Sequence, residues 1–224
     1  MAREKSRTAI FDLDGTLSDP LRGIYDSISW AMNQHGYATP TLQDVRSGIG
    51  PPLRESVGAL GVVEGDLDRV IASYRELYGT TGLYANELID GVGELLSSLR
   101  QRGVTLAVAT SKVEPWAREV LQYFGLLDQF SVVAGATFDG VRTNKIEVLA
   151  NCLERLGPKA TNAVMIGDRL HDIKGAQQFG LRSVGVLWGF GELEELVTAG
   201  ATRTVATTQQ LDEALISLWE FAEN

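Results

Sequence analysis

The chain has 224 residues, with 20 Lys plus Arg against 29 Asp plus Glu, which gives a formal net charge of −9. Its 44% hydrophobic and 22% charged residues are ordinary globular usage and exclude disordered and fibrous classes. The length suits one large domain or a domain that carries a smaller insertion. A sequence pI near 4.8 offers no basic surface, so we expect no nucleic acid polymer as the main partner.

The longest uninterrupted apolar run is four residues, as at residues 106–109, whereas a membrane-spanning helix needs ~20. We therefore expect no membrane segment. Cys152 is the single cysteine and cannot form an intramolecular disulfide, which fits a reducing compartment and predicts a cytoplasmic protein. Because Leu149, Leu153 and Leu156 surround Cys152 at helical spacing, we interpret it as a small buried core residue.

In chain order, five short segments rich in Val, Ile, Leu and Ala predict buried strands, because each ends at polar residues or glycine. They cover residues 8–11, 105–109, 131–134, 163–166 and 183–187. Near-continuous hydrophobicity without alternation is typical of a parallel sheet covered on both faces. Segments with apolar residues at helical spacing separate the last four strands. This alternation predicts an α/β protein with a doubly wound, mostly parallel sheet.

The interval between the first two predicted strands is too long for that pattern. It holds more than 90 residues, whereas a simple βαβ unit needs ~30. Apolar stripes at helical spacing recur within it, around residues 21–32, 53–60 and 67–77. We therefore predict a small α-helical domain at residues 20–87, inserted into a core of residues 1–19 and 88–224.

Polar clusters follow the predicted strands at their carboxyl ends, where ligands bind in open α/β sheets. The clusters are Asp12-Leu13-Asp14-Gly15-Thr16, Thr110-Ser111, Lys145, and Asp168 with Asp172. In the first cluster, two carboxylates at i and i+2 can face one crevice, and Gly15 allows a sharp backbone turn beneath a ligand. We expect all of these side chains to converge on one site.

The chemistry of this set points to phosphoryl transfer. Four carboxylates in one crevice would raise one another's pKa unless a cation lay among them. Ligands that are all oxygens suit Mg²⁺. A metal ion together with Lys145 and a hydroxyl group can neutralise a phosphoryl group, so we expect transfer through an aspartyl-phosphate.

The four ordered motifs resemble those of the haloacid dehalogenase (HAD) superfamily of phosphohydrolases, in the branch with a helical cap after the first motif. Residues 49–54 and 187–191 are similar to segments of phosphoglycolate phosphatases and related 5′-nucleotidases. The resemblance implies a Rossmann-like core and Mg²⁺-dependent hydrolysis of a small phosphorylated metabolite, with a function most like that of phosphoglycolate phosphatase. A 5′-nucleotidase acting on nucleoside monophosphates is the alternative, and a monomer and a homodimer both remain open.

The resemblance also assigns roles. It implies that Asp12 is the nucleophile and that Asp14 protonates the leaving group and then activates water. The Asp12 side chain, the Asp14 backbone carbonyl and Asp168 would hold Mg²⁺, and Asp172 would either contact the metal or orient Lys145.

The phosphate-binding residues implied by the same resemblance are Thr110 and the backbone N–H of Ser111, next to the Gly15 turn. Lys145 would offset the charge of the nucleophile and the phosphoryl group. Arg54, after the Gly/Pro-rich loop of the predicted cap, could meet a substrate carboxylate or a second phosphate, and a solvated arginine is the alternative. We expect the Lys112 side chain to be solvated, and Trp188 and Phe190 to pack rather than stack on substrate.

Other classes fit the sequence less well. A phospho-accepting receiver domain also uses aspartates, Thr, Lys and Mg²⁺, but its acidic pair and its phospho-acceptor lie on different strands of a shorter chain. A dehalogenase of the same superfamily would lack Asp14. A catalytically silent binding module finds no support, because every motif residue is present.

Overall fold

The computed structural model describes residues 6–221. Its strands are β1 (Thr8–Phe11), β2 (Ser18–Asp19), β3 (Glu87–Leu88), β4 (Thr105–Val113), β5 (Val132–Ala136), β6 (Ala163–Gly167), β7 (Arg182–Val186) and β8 (Arg203–Val205). One six-stranded sheet has the order β5-β4-β1-β6-β7-β8, and all neighbouring strands in it are parallel. The predicted strands are confirmed as β1, β4, β5, β6 and β7.

Strand β8 was not predicted from the sequence. It pairs with β7 at the edge of the sheet, where Arg203 is exposed and Val205 is buried. An edge strand of three residues carries no apolar run, so the pattern that identified the central strands is missing here.

The helices are α1 (Leu21–Gln34), α2 (Leu42–Ser47), α3 (Leu53–Ala59), α4 (Leu67–Thr80), α5 (Val92–Gln101), α6 (Glu114–Tyr123), α7 (Lys145–Leu156), α8 (Leu170–Gln178), α9 (Leu193–Thr198) and α10 (Thr208–Phe221). Helices cover both faces of the sheet, as a doubly wound fold requires. On one face Phe11 shares an apolar cluster with Leu96 of α5, and on the other Ile10 shares one with Leu149 and Cys152 of α7. The buried position predicted for Cys152 is confirmed.

The chain between β1 and β4 forms helices α1 to α5 and two short strands, and α1 to α4 lie between these two strands. Strands β2 and β3 pair antiparallel, with Ser18 opposite Leu88 and Asp19 opposite Glu87. This ribbon brings together the places where the chain leaves the sheet and returns to it. The predicted division at residues 20 and 87 falls at the ribbon and stays a prediction; we call residues 20–87 the cap.

No helix in the described part of the chain is both long enough and apolar enough to cross a lipid bilayer.

Candidate active site

The carboxyl ends of the central strands carry the candidate site. Asp12 follows β1, and its backbone N–H donates to the Ile166 carbonyl of β6 at 2.8 Å. Thr110 lies near the end of β4, and Asp168 directly follows β6. Because β1 is paired with both β4 and β6, these side chains lie at one edge of the sheet.

Lys145 lies at the centre of the site and is 3% exposed. Its Nζ lies 2.8 Å from Asp12 Oδ1 and 2.7 Å from Asp172 Oδ1, and it donates to the Ala109 carbonyl at 2.9 Å. Burial alone would lower the pKa of Lys145, but the charges of Asp12 and Asp172 outweigh burial and raise it. Lys145 is therefore a fixed positive charge beside the candidate nucleophile.

The start of α7 fixes the backbone of Lys145. Asn144 caps the helix by accepting from the Glu147 N–H at 3.0 Å, and the Glu147 side chain accepts from the Asn144 N–H. This reciprocal capping satisfies backbone donors at the helix start. Lys145 is the first helical residue, so its position depends on the hydrogen bonds between Asn144 and Glu147.

Asp12, Asp168 and Asp172 form a buried acidic group that could hold a metal ion. One carboxylate oxygen from each lies within 4.8 Å of the others. Burial, followed by the charges of Asp172 and Asp12, raises the pKa of Asp168 well above its usual range. Burial also raises the pKa of Asp172 to about 6, although Lys145 opposes this. Three carboxylates against one ammonium leave two negative charges, which a divalent cation would balance.

Two hydrogen bonds hold the Asp168 carboxylate. Thr16 Oγ1 donates to Asp168 Oδ1 at 3.3 Å, and the Phe190 N–H donates to Oδ2 at 2.8 Å. Gly15, which we predicted beneath a ligand, has φ +82°, and a Cβ there would lie 2.7 Å from both Asp168 Cγ and Phe190 Cδ2. The residue must therefore be glycine to allow this approach. Trp188 Nε1 donates to the Thr16 carbonyl at 3.1 Å, which fits the predicted packing role.

Lys112 is not solvated, and our prediction for it was wrong. Its Nζ lies 2.7 Å from both carboxylate oxygens of Asp14, and its side chain is 4% exposed. Burial raises the pKa of Asp14, while the Lys112 charge opposes this. The pattern of the sequence could not reveal this pair, because a lysine after a strand is ordinarily exposed.

Thr110 and Ser111 both border the cavity above the acidic group. Thr110 is buried, and its Oγ1 accepts from the Lys112 N–H at 3.2 Å. Ser111 is half-buried. The structure thus brings together the predicted catalytic, metal-binding and phosphate-binding residues around one crevice.

The cavity has a volume of about 530 Å³ and lies between the sheet edge and the cap. Asp12 and Asp14 line its floor. Its walls carry four aromatic side chains that sequence patterns alone did not assign to the site: Tyr74, Tyr78, Trp116 and Phe138. Tyr74 stacks on Tyr78 with 5.1 Å between the ring centroids. Trp116 meets Tyr78 and Phe138 edge-on, with centroid distances of 5.3 and 5.1 Å.

Arg54 also borders the cavity, but its guanidinium is already paired. It lies 2.5 Å from Glu64 and 2.5 Å from Asp68, and all three side chains are exposed. Two other arginines join the cap to the core: Arg46 donates to the Gly189 carbonyl at 2.8 Å, and Arg169 donates to the Ile49 carbonyl.

Comparison with known proteins identifies the family of the chain. Residues 9–186 match the model of the haloacid dehalogenase-like hydrolase family. The chain is similar to the tyrosine-protein kinase PtkA of Mycobacterium tuberculosis, with 43% identity over 95% of this chain and 73% of that protein. It is 40% identical to a 5′-nucleotidase of Pseudomonas aeruginosa over 93% of this chain and 95% of the relative.

A solved structure described as a predicted phosphatase from Clostridium acetobutylicum superposes with a TM-score of 0.90 at 34% identity. The match covers 96% of this chain and all of that chain. Fold, motifs and relatives agree, and the chain belongs to the haloacid dehalogenase-like hydrolase family as an enzyme of the phosphatase type.

Proposed function

We propose that the protein is a Mg²⁺-dependent phosphomonoester hydrolase that works through an aspartyl-phosphate on Asp12. The observation that carries this proposal is the buried group of Asp12, Lys145, Asp168 and Asp172, in which Asp12 lines the cavity between the sheet edge and the cap. Phosphoryl groups need such a combination of nucleophile and fixed positive charge. We further propose a cytoplasmic monomer or homodimer acting on a small phosphorylated metabolite.

The residues present fit a divalent cation. Asp12, the Asp14 backbone carbonyl and Asp168 would hold it, with Asp172 contacting it or orienting Lys145. When bound, Mg²⁺ supplies positive charge to the phosphoryl oxygens. Asp172 Oδ1 lies close to Lys145 Nζ, and its Oδ2 accepts from the Arg169 N–H at 3.0 Å. These contacts favour the orienting role for Asp172.

In the first step, an Asp12 oxygen attacks phosphorus, and the bond from phosphorus to the leaving oxygen breaks. Asp14 gives its proton to that oxygen, so the product leaves as a neutral alcohol. In the second step, Asp14 takes a proton from water, which attacks phosphorus and frees Asp12 and inorganic phosphate. Thr110, Ser111 and Lys145 hold the phosphoryl oxygens and offset their charge throughout.

The cavity favours the nucleotidase alternative over 2-phosphoglycolate. A glycolate group has two carbon atoms and one carboxylate, whereas the cavity offers about 530 Å³ and aromatic walls, of which the half-buried Trp116 and the exposed Phe138 are accessible to a ligand. The arginine that we predicted to meet a carboxylate, Arg54, is shared between Glu64 and Asp68. Planar bases gain free energy by packing on aromatic rings, typically ~1–3 kcal/mol per base. We therefore place nucleoside monophosphates first.

The names of the relatives describe two acceptors for a phosphoryl group: water for the nucleotidase and a tyrosine hydroxyl for the kinase. In a mechanism through phosphorylated Asp12 the acceptor reacts after that step, and Asp14 would activate it. We propose water as the acceptor, because Asp14 borders a cavity that can admit a water molecule.

A panel of nucleoside monophosphates, 2-phosphoglycolate and an aryl phosphate, assayed by phosphate release with Mg²⁺ or with chelator, tests the proposal. The Asp12→Asn variant should lose activity by ~10³-fold or more. Asp26→Asn is the matched control, because it makes the same change at an exposed cap carboxylate. Unreduced turnover by Asp12→Asn would refute the mechanism. Phosphorylation of a tyrosine peptide without phosphate release would refute water as the acceptor.

A further inference from the structure

A buried ion pair joins the sheet to the candidate acid. Lys112 Nζ lies 2.7 Å from each oxygen of Asp14, and the two side chains are 4% and 16% exposed. A carboxylate held by both oxygens cannot rotate freely about its Cβ–Cγ bond. A hydrogen bond to a charged donor is also about twice as strong as one between neutral groups.

The cap covers this ion pair. Lys112 Nζ lies 5.2 Å from the centre of the Tyr78 ring, which belongs to α4. Tyr78 is itself buried between Tyr74 and Trp116. The ring keeps water from the ammonium and attracts its charge, and a cation–π contact is strongest when it is desolvated. The ammonium is therefore confined between Asp14 and the cap.

The backbone of β4 also fixes Lys112. The pairing of β4 with β5 shifts in register between Thr110 and Val113, so the chain departs from regular pleating where Lys112 lies. The Lys112 N–H donates to Thr110 Oγ1 at 3.2 Å, which ties the lysine to the candidate phosphate-binding hydroxyl. The placement of the ammonium is thus determined at both ends of the side chain.

We propose that Lys112 is a positioning residue that holds the Asp14 carboxyl group toward the leaving oxygen of the substrate, under the cover of Tyr78. The proposal rests on the role of Asp14 in the proposed function. Under this proposal the four motifs alone are not sufficient for efficient catalysis, because Asp14 acts efficiently only while Lys112 restrains it.

The restraint is compatible with proton donation. With Asp14 ionised, both of its oxygens accept from the ammonium, as in the structure. When one oxygen carries a proton, the other still accepts from Lys112 Nζ. That proton passes to the leaving oxygen as the bond to phosphorus breaks, and Lys112 keeps its own protons and its charge throughout.

Substrates whose leaving groups differ in basicity distinguish a lysine that positions the acid from one that binds phosphate or only stabilises the fold. An alkyl phosphate needs a proton on its leaving oxygen, whereas 2,4-dinitrophenyl phosphate departs as a stable phenolate without one. Loss of a residue that positions the acid will slow the alkyl ester more than the dinitrophenyl ester. Loss of a phosphate ligand or of general stability will slow both alike, because the phosphoryl group is the same.

The experiment measures kcat/KM of Lys112→Met, Lys112→Arg and Asp14→Asn on both esters with saturating Mg²⁺, because kcat/KM reports the steps up to phosphorylation of Asp12 and excludes the water step that both esters share. Asp14→Asn should lose ~10²-fold or more in kcat/KM on the alkyl ester and much less on the dinitrophenyl ester. Lys112→Met should show the same difference, with a loss of kcat/KM on the alkyl ester at least ~10-fold greater than its loss on the dinitrophenyl ester. Lys112→Arg should recover part of the alkyl rate.

The positioning role would be overturned if Lys112→Met lost rate equally on the two esters while Asp14→Asn still lost more rate on the alkyl ester. That result would leave the proposed function intact. Equal losses for Asp14→Asn would refute the acid role of Asp14 and, with it, the inference. Circular dichroism verifies that each variant is folded. If Lys112→Met does not fold, Lys112→Gln, which keeps an N–H donor group without the charge, is tested in the same way and must show the same difference between the two esters.

Discussion

Gly15 offers a quantitative test of how closely the catalytic loop approaches Asp168. Replacing it by Ala places a residue with a Cβ at φ +82°, and that Cβ would lie 2.7 Å from Asp168 Cγ. A left-handed backbone costs a residue other than glycine ~1–2 kcal/mol. Overpacking in a filled site adds ~1–3 kcal/mol. Together these costs predict that Gly15→Ala lowers the free energy of unfolding by ~2–5 kcal/mol.

Gly36→Ala separates the two contributions. Gly36 has nearly the same backbone angle, φ +79°, and a Cβ there would meet no atom within 4 Å. It should therefore carry the backbone cost alone, ~1–2 kcal/mol. The difference between the two variants measures the contact with Asp168 and Phe190.

Urea unfolding in the presence of chelator gives the two free energies without a contribution from bound metal. The activity of Gly15→Ala with Mg²⁺ should also fall by ~10²-fold, since displacement of a reacting group by about 1 Å costs that much. Gly36 lies far along the chain in the cap, and its variant should keep its activity. If both variants had equal stability and equal activity, the close approach of Gly15 to Asp168 would be refuted.

Two further predictions concern buried ionisable groups. Burial raises the pKa of Cys152 to about 12, so the thiol stays protonated at pH 8 and should react with a disulfide reagent only after unfolding in urea. Burial raises the pKa of the Asp172 carboxyl group from 3.8 to about 6, so the folded metal-free protein binds the proton of this group more tightly than the unfolded chain does. Protonation of Asp172 therefore stabilises the fold fully below pH 3.8, and this contribution is lost as the pH rises to about 6. The free energy of unfolding of wild type relative to Asp172→Asn should decrease across that interval.

Each of these has a clear contrary result. Rapid labelling of native Cys152 at a rate close to that of the urea-unfolded chain would contradict its burial. For Asp172, urea midpoints measured with chelator give the comparison with the Asn variant. A difference that stays constant from pH 4 to pH 6, or that grows in favour of wild type, would contradict the raised pKa.

The central sheet and the motif residues could be predicted because their signals are local in the sequence. The strands β1 and β6 are each a short apolar run, and Asp12 and Asp168 follow them directly. Parallel strands place their carboxyl ends at one edge, so the neighbourhood of these residues follows from the fold class alone.

The environment of Lys112 could not be predicted, because it depends on contacts distant in the chain. Its carboxylate partner, Asp14, lies 98 residues away, and the ring that covers it belongs to a cap helix. Arg54 shows the same limitation, since Glu64 and Asp68 reach it only once α3 and α4 have packed together. A single sequence gives the residue type at such positions and not the partner.

We expect the ribbon of β2 and β3 to make the cap replaceable. Both of its connections to the sheet lie side by side, so the helices between the two strands should be exchangeable for the corresponding segment of a relative without altering the register of any core strand. However, the exchange would also affect the catalytic loop. The Gly15 N–H donates to the Ser18 carbonyl at 2.8 Å, and the Ile89 N–H donates to the Leu17 carbonyl at 3.0 Å, so the ribbon is bonded to the loop that carries Asp14. A transplanted cap would therefore change the substrate preference and, through the backbone of residues 15–18, would also shift the carboxyl group of Asp14.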